Sequence, residues 1–235
     1  MLLVASGLAL LARDRNASQA SSPVGLFTTL PILWNEEAEV ADLLKSSEAP
    51  HWARGVLTDR GGIVALDSLA APGGAGPLRG VTRLVMAQPR PLSPDENVAL
   101  DTWVRGGGRL LLLADPALTE ESHFAIGDPR RPQGVVLLSP ILKRWGLDLR
   151  FDEAQEFGDR TVRSVSLALP VNLPGTFTVI GPAGCTIEAS GLLATCTIDK
   201  GRVTALADAA VLSREDADGT RTKAFSDLLD RAFAN

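Results

Sequence analysis

Three aspartates stand where chemistry could be done. Asp67, Asp115 and Asp208 follow the apolar runs 62–66, 109–114 and 202–207, so each is expected just past the end of a buried strand. Open α/β sheets bind ligands beyond the carboxyl ends of their strands. Gathered in one crevice, such carboxylates could hold a divalent cation through hard oxygens or accept hydrogen bonds from sugar hydroxyls. The alternative for each is a helix cap or a braced turn, which aspartates commonly provide. Gln88, directly after the apolar run 84–87, and Trp34, in an apolar loop after the first strand, complete the candidate ligand contacts. Trp103 and Trp145 fall on apolar helix faces and are expected in the core.

Other chemistries find no support in the residues. His51 and His123 are the only histidines, and neither has a ligand partner at i+4 or a nearby cysteine. No zinc site is expected from them, and both are read as surface or loop residues. A serine hydrolase needs a G-x-S-x-G elbow, which the chain lacks, and Ala87 is followed by Gln88-Pro89 rather than by Ser or Cys. The glycines of 72–77 miss dinucleotide spacing, because Arg79 stands where the third glycine is required. No cofactor is therefore expected. A net charge of −5, with no basic stripe interleaved with aromatics, argues against a nucleic-acid partner.

The elements that must position these residues are clearest over 84–116. The run 84–87 has no polar alternation, as in a strand covered on both faces. Ser93-Pro94-Asp95-Glu96 combines a capping serine, a proline tolerated in the first turn and a glutamate able to close a capping box. Ala99, Leu100, Trp103 and Val104 share one helical side, and Gly106-Gly107-Gly108 suits the exit. The next strand, 109–114, must then run parallel to the first. Residues 24–28 and 62–66 read as further strands, with a helix between them capped by Asn35 and carrying Glu36, Glu37 and Glu39 in its first turn. A second Ser-Pro start at Ser139-Pro140 opens a helix with Leu142 and Trp145 on its apolar side, and 147–151 reads as a strand. Short alternating runs at 162–169, 176–180, 185–189 and 192–198 look antiparallel, before a buried strand at 202–206 and a final amphipathic helix.

With 235 residues, 45% of them hydrophobic and 22% charged, the chain can bury a sizeable core. The alternation predicts an α/β fold: a three-layer, mostly parallel sheet of flavodoxin or glutamine amidotransferase type with a small antiparallel β insertion. Residues 23–235 form this domain, the insertion covering about 155–200, and 1–22 form an export signal or short anchor plus linker. The first twelve residues are apolar, too few to span a bilayer yet suited to a signal peptide, although no positive leader precedes them. A true start further upstream, a short hydrophobic anchor and a buried helix all remain open. Cys185 and Cys196 flank Ser190-Gly191, and a two-residue hairpin loop there sets them opposite each other. A disulfide is then geometrically available, although that loop makes them a hydrogen-bonded pair, a difficult site for a bridge. Two buried thiols are the alternative. A bridge with an export-like start points to a periplasmic or other extracytoplasmic location.

The block from Pro91-Leu92-Ser93 to Leu113-Ala114-Asp115-Pro116, with Leu142-Lys143-Arg144-Trp145-Gly146-Leu147, resembles the periplasmic domain of GldG-like auxiliary proteins of ABC-type transport systems. The segment from Arg202 to Asp208 looks like that family's late strand ending in Asp. The resemblance covers about half of the chain. It implies a class I glutamine amidotransferase-like fold without the catalytic cysteine, and a membrane-associated bacterial protein working beside an ABC-type permease or an associated membrane protein. The family's hydrophobic carboxy-terminal helix is missing from the sequence, which leaves the leader as the expected anchor. The leading expectation is a non-catalytic domain that binds a partner, a small molecule or a sugar. The competing one is a hydrolase or carbohydrate-active enzyme using Asp115 and Asp208.

Overall fold

A computed structural model describes residues 22–34, 36, 50–71, 76–181 and 184–234. The export-like leader, the helix expected after Asn35 (except Glu36) and the glycines at 73 and 74 lie outside the described residues. β1 (Val24–Thr28) is apolar and buried along nearly its whole length. The second expected strand shortens to β2 (Ile63–Ala65), which is only partly covered because it forms one edge of the sheet. Between them α1 (Trp52–Asp59) has no counterpart in the sequence reading. His51 caps it: Nδ1 accepts from the Ala53 N–H at 3.1 Å, so Nε2 carries the proton that it donates to the Leu212 carbonyl at 3.0 Å. This corrects the surface reading of His51, which is buried and whose pKa burial lowers, keeping the ring neutral.

β3 (Arg83–Ala87), α2 (Pro94–Arg105) and β4 (Arg109–Leu113) form the expected β-α-β unit. Both arms of the capping box close, Ser93 Oγ accepting from Glu96 N–H at 3.2 Å and Glu96 Oε2 accepting from Ser93 N–H at 2.9 Å. Leu100 and Val104 are buried, whereas Trp103 is only partly so and donates Nε1–H to the Val81 carbonyl at 2.7 Å. Gly107 leaves the helix with φ 116°, which an L side chain would resist.

Next come α3 (Ser139–Arg144) and β5 (Leu147–Arg150), then β6 (Arg160–Arg163), β7 (Ala168–Val171), β8 (Thr176–Val179), β9 (Cys185–Glu188), β10 (Leu193–Ile198), β11 (Gly201–Leu206) and α4 (Thr220–Phe233). Ser139 begins α3 instead of capping it. The apolar run 162–169 is a hairpin and not one strand, since β6 and β7 pair with each other across it. A Cβ on Gly201 would lie 1.9 Å from the Val104 carbonyl oxygen, so only glycine lets β11 begin against the end of α2.

The central sheet runs β2-β1-β3-β4-β11-β10-β9. Its first five strands are parallel, and β10 and β9 are antiparallel. The fold is thus mixed α/β with a mostly parallel sheet. The β-rich stretch is less separate than expected: β5-β8 and β6-β7 are two-stranded sheets, but β9 and β10 extend the central sheet beside β11. Leu84, Val85, Leu110, Leu111, Val203 and Phe225 are among the fully enclosed residues of one continuous core.

Cys185 pairs with Cys196 and is bridged to it, with Cα atoms 4.0 Å apart. The expected register is present with a wider loop, because pairing stops at Glu188↔Leu193 and 189–192 make the turn. One extra loop residue on each side reverses the hydrogen-bond parity. Thr197 N–H donates to the Gly184 carbonyl, so the adjacent Cys185-Cys196 pair is the non-hydrogen-bonded kind, where side chains approach most closely. The anticipated obstacle to a bridge is thereby removed.

Candidate functional site

Four strands of the sheet, β1, β3, β4 and β11, send their carboxyl ends to the same side, and their loops interlock there. Gln88 follows β3 with φ 43°, an unfavourable conformation for a side chain larger than glycine. Its amide is fully used: Nε2 donates to the carbonyls of Asp115 (3.0 Å) and Gln133 (2.6 Å), and Oε1 accepts from Asp115 N–H at 2.9 Å. Thr29 Oγ1 donates to the Gln88 carbonyl and accepts from Gln133 N–H. One polar network thus ties the loops after β1, β3 and β4.

Asp115 and Asp208 lie side by side. The last registered pair of β4 and β11 is Leu113↔Leu206, and the aspartates occupy equivalent places two residues beyond it. Both are fully buried, and every carboxylate oxygen accepts a backbone N–H. Asp115 takes those of Ala117 (2.8 Å) and Ala209 (3.1 Å), and Asp208 those of Ala210 (2.5 Å) and Asn172 (2.9 Å). Burial raises the Asp115 pKa to about 6 against the pull of its two N–H donors. Burial, and then the neighbouring Asp115 charge, raise that of Asp208 well above the usual carboxylate range, against the pull of its Ala210 and Asn172 N–H donors and of Arg160. Such a pair can retain a proton near neutrality. As folded, it braces three loops and offers no oxygen to solvent.

The other candidates lie apart from this pair. Trp34 is 41% exposed and leans on Phe124 at 5.8 Å, with the Arg130 guanidinium on Phe124 at 4.1 Å. Asp67 is exposed beyond the edge strand β2, where its carbonyl accepts from Arg90 at 2.8 Å. Of the three aspartates expected in one crevice, Asp115 and Asp208 are adjacent and Asp67 is not. Gln88, Asp115 and Asp208, expected as ligand contacts, are instead buried with their side-chain polar atoms engaged inside the chain, and sequence reasoning missed the accessible part of the region. Above the strand ends opens a cleft of about 470 Å³ lined by Pro31, Glu36, Glu120, Glu121, His123 and Arg214, among others. Glu36 accepts from Ser122 Oγ and His123 N–H, both at 3.1 Å, which ties the β1 loop to the β4 loop. These residues sit several positions beyond their strands, so the strand-end rule would have found them if applied to whole loops. Among the described residues, no group of three His, Cys, Asp or Glu side chains is arranged to hold a metal ion.

No protein-family model and no curated protein matches the chain. Among solved structures it is similar to the exo-β-1,4-mannosidase Op5Man5 of Opitutaceae bacterium strain TAV5, with 16% identity and a TM-score of 0.53 over 97% of this chain and 38% of that one. It is also similar to the cold-adapted β-galactosidase of Rahnella sp. R3, with 12% identity and a TM-score of 0.47 over 90% of this chain and 31% of that one. A ThuA-like protein of Parabacteroides merdae shares 10% identity and a TM-score of 0.40 over 89% of this chain and 88% of that one. The chain spans well under half the length of the two glycosidases, and at 16% identity the likeness to the mannosidase is one of fold alone.

Proposed function

We propose that this chain is a non-catalytic, extracytoplasmic domain that binds a partner or ligand for an ABC-type transport or surface-assembly system, as its GldG-like sequence blocks imply. The observation that carries the reading is the use of Gln88. In a glutamine amidotransferase-like scaffold the residue after this strand would be the nucleophile, and here it is a buried amide with both ends engaged. The parallel order β2-β1-β3-β4-β11 matches the 2-1-3-4-5 order of flavodoxin-like sheets, which supports the finer three-layer reading. The Cys185–Cys196 bridge is compatible with an oxidising compartment. Among the described residues no helix is long and apolar enough to cross a membrane.

Partner contact is assigned to the cleft rim, where Glu121 is exposed. A photocrosslinking residue at position 121, introduced in the native host, is expected to capture a permease subunit or its membrane partner. Capture of no membrane transport component, with the protein exported and folded, would overturn the proposal.

The competing reading, a hydrolase or carbohydrate-active enzyme, draws on the adjacent carboxyls of Asp115 and Asp208. Strands spaced about 4.8 Å apart bring such groups near the short end of glycosidase acid-pair separations. It requires the loops to open, and turnover of a chromogenic glycoside that disappears in a folded Asp115→Asn variant would favour it.

A further inference from the structure

A row of arginines crosses the other end of the sheet, where the parallel strands begin. Arg83 opens β3, Arg109 opens β4 and Arg202 is second in β11. The registers Arg83↔Arg109 and Arg202↔Arg109 set the three side by side on neighbouring parallel strands. Registered residues of parallel strands point to one face, and strands lie about 4.8 Å apart, so three cations share a row roughly 10 Å long. All three are partly exposed.

Their contacts within the chain are few. Arg83 donates to the Arg60 carbonyl at 2.9 Å and lies 5.7 Å from the Phe233 ring centroid. Arg109 and Arg202 both donate to the Ala234 carbonyl, just past α4. Among the described residues none of the three pairs with a carboxylate, whereas Arg90, Arg105, Arg150, Arg221 and Arg231 all do. Burial, and then the charge of Arg60, lower the Arg83 pKa, and Arg60 itself pairs with Asp230.

A helix carboxyl end carries about half a negative charge. It offsets one guanidinium partially, not three. The Ala234 carbonyl accepts from both Arg109 and Arg202 and the Arg60 carbonyl from Arg83, but neither carbonyl carries a full charge, so the row keeps most of its positive charge. Like charges directly opposite each other on paired strands are unfavourable. An anion bound across the row would offset this repulsion.

We propose that Arg83, Arg109 and Arg202 form a binding site for phosphate-type oxyanions, at the end of the sheet opposite the cleft. Guanidinium forks match phosphate oxygens in pairs, and a linear row suits two or more phosphates presented together. The site stands independently of the proposed function.

The test titrates the full chain at low salt with inorganic pyrophosphate by calorimetry and, in parallel, floats it with phosphatidylglycerol/phosphatidylcholine vesicles against phosphatidylcholine alone. Saturable pyrophosphate binding supports a free-phosphate ligand, and flotation with the anionic vesicles alone supports a lipid headgroup. In either arm Arg83→Gln, Arg109→Gln and Arg202→Gln should each weaken binding about tenfold, the loss of one charge-assisted hydrogen bond. Arg150→Gln, which removes an exposed paired arginine on β5, should bind like the parent. Should Arg109→Gln unfold, Arg202→Gln keeps the test alive, since its contact to Ala234 is long at 3.5 Å. Absence of binding in both arms, or binding unchanged in the folded row variants, would overturn the site. Destabilised variants of a parent that binds neither probe would also overturn it, assigning the row to holding α4 alone.

Discussion

Gln88 and Asp115 hold each other reciprocally: the glutamine amide donates to the Asp115 carbonyl at 3.0 Å and accepts from its N–H at 2.9 Å. A side chain thus does for the residue after β4 what a neighbouring strand would. Both groups are buried, so removing the amide strands a donor and an acceptor away from water. Gln88→Ala is expected to lower stability by about 3 kcal/mol in urea unfolding. Gln88→Gly loses the same bonds but relieves the positive φ, and should therefore be about 1 kcal/mol less damaging. Two variants as stable as the parent would mean that the amide does not hold the loop.

The buried carboxyls make a signed prediction about pH. Asp115 keeps its proton up to about 6 in the folded chain against an ordinary value of 3.8. A raised carboxyl pKa means that the native state binds the proton more tightly than the unfolded chain. Its contribution to stability is fully present below the unfolded value and is lost as pH rises through the folded one. Two units at about 1.4 kcal/mol each amount to about 3 kcal/mol. Asp115→Asn is neutral throughout and loses one N–H acceptor at every pH. The stability of the parent minus that of the variant should therefore fall by about 3 kcal/mol from about pH 4 to 7. A flat difference would refute the raised carboxyl.

The unit 84–116 was legible because each boundary carries its own chemistry: Ser93 and Glu96 close the cap, and Gly107 turns the chain out. α1 was not legible, since its cap is His51 and its burial comes from α4, through contacts such as Trp52 with Phe225. The hairpin register was right while its loop was not. Ala189 and Ser190 adopt φ of 51° and 56°, conformations that sequence rules assign to glycine, and only the surrounding packing selects them. At the strand ends, the rule that ligands lie there pointed to Gln88, Asp115 and Asp208, which the fold uses as buried braces of the loops. Glu120, Glu121 and Arg214 lie further along the same loops, and which residues of those loops line the cleft is set by tertiary bonds, such as Arg214 N–H donating to Glu120.

Glu96 behaves oppositely to Asp115. Hydrogen bonds from Arg90, against the cost of burial, and then from Ser93, Leu69 and Ser68, hold its pKa down to about 2. Its stabilisation is present above the ordinary value of 4.5 and is lost as pH falls through 2. Arg90 is partly exposed, so screening reduces the pair's worth. Glu96→Gln should cost about 2 kcal/mol at neutral pH and little near pH 2. Equal losses at both values would assign the effect to packing instead of charge.

The Cys185–Cys196 bridge ties the edge strand β9 to β10 across a separation of 11 residues. Closing a loop of that size removes unfolded-state entropy worth about 3 kcal/mol. A Cys185→Ser/Cys196→Ser variant should lose stability of that order, and hydrogen exchange should accelerate first in β9, which has a neighbour on one side only. Amides of β4, flanked by β3 and β11, should change only as far as global unfolding does. Protein recovered from its native compartment and denatured without reductant is expected to show no free thiol. Two titratable thiols there would remove the main physical support for an oxidising compartment, since the remaining argument for export rests on the apolar residues of the leader.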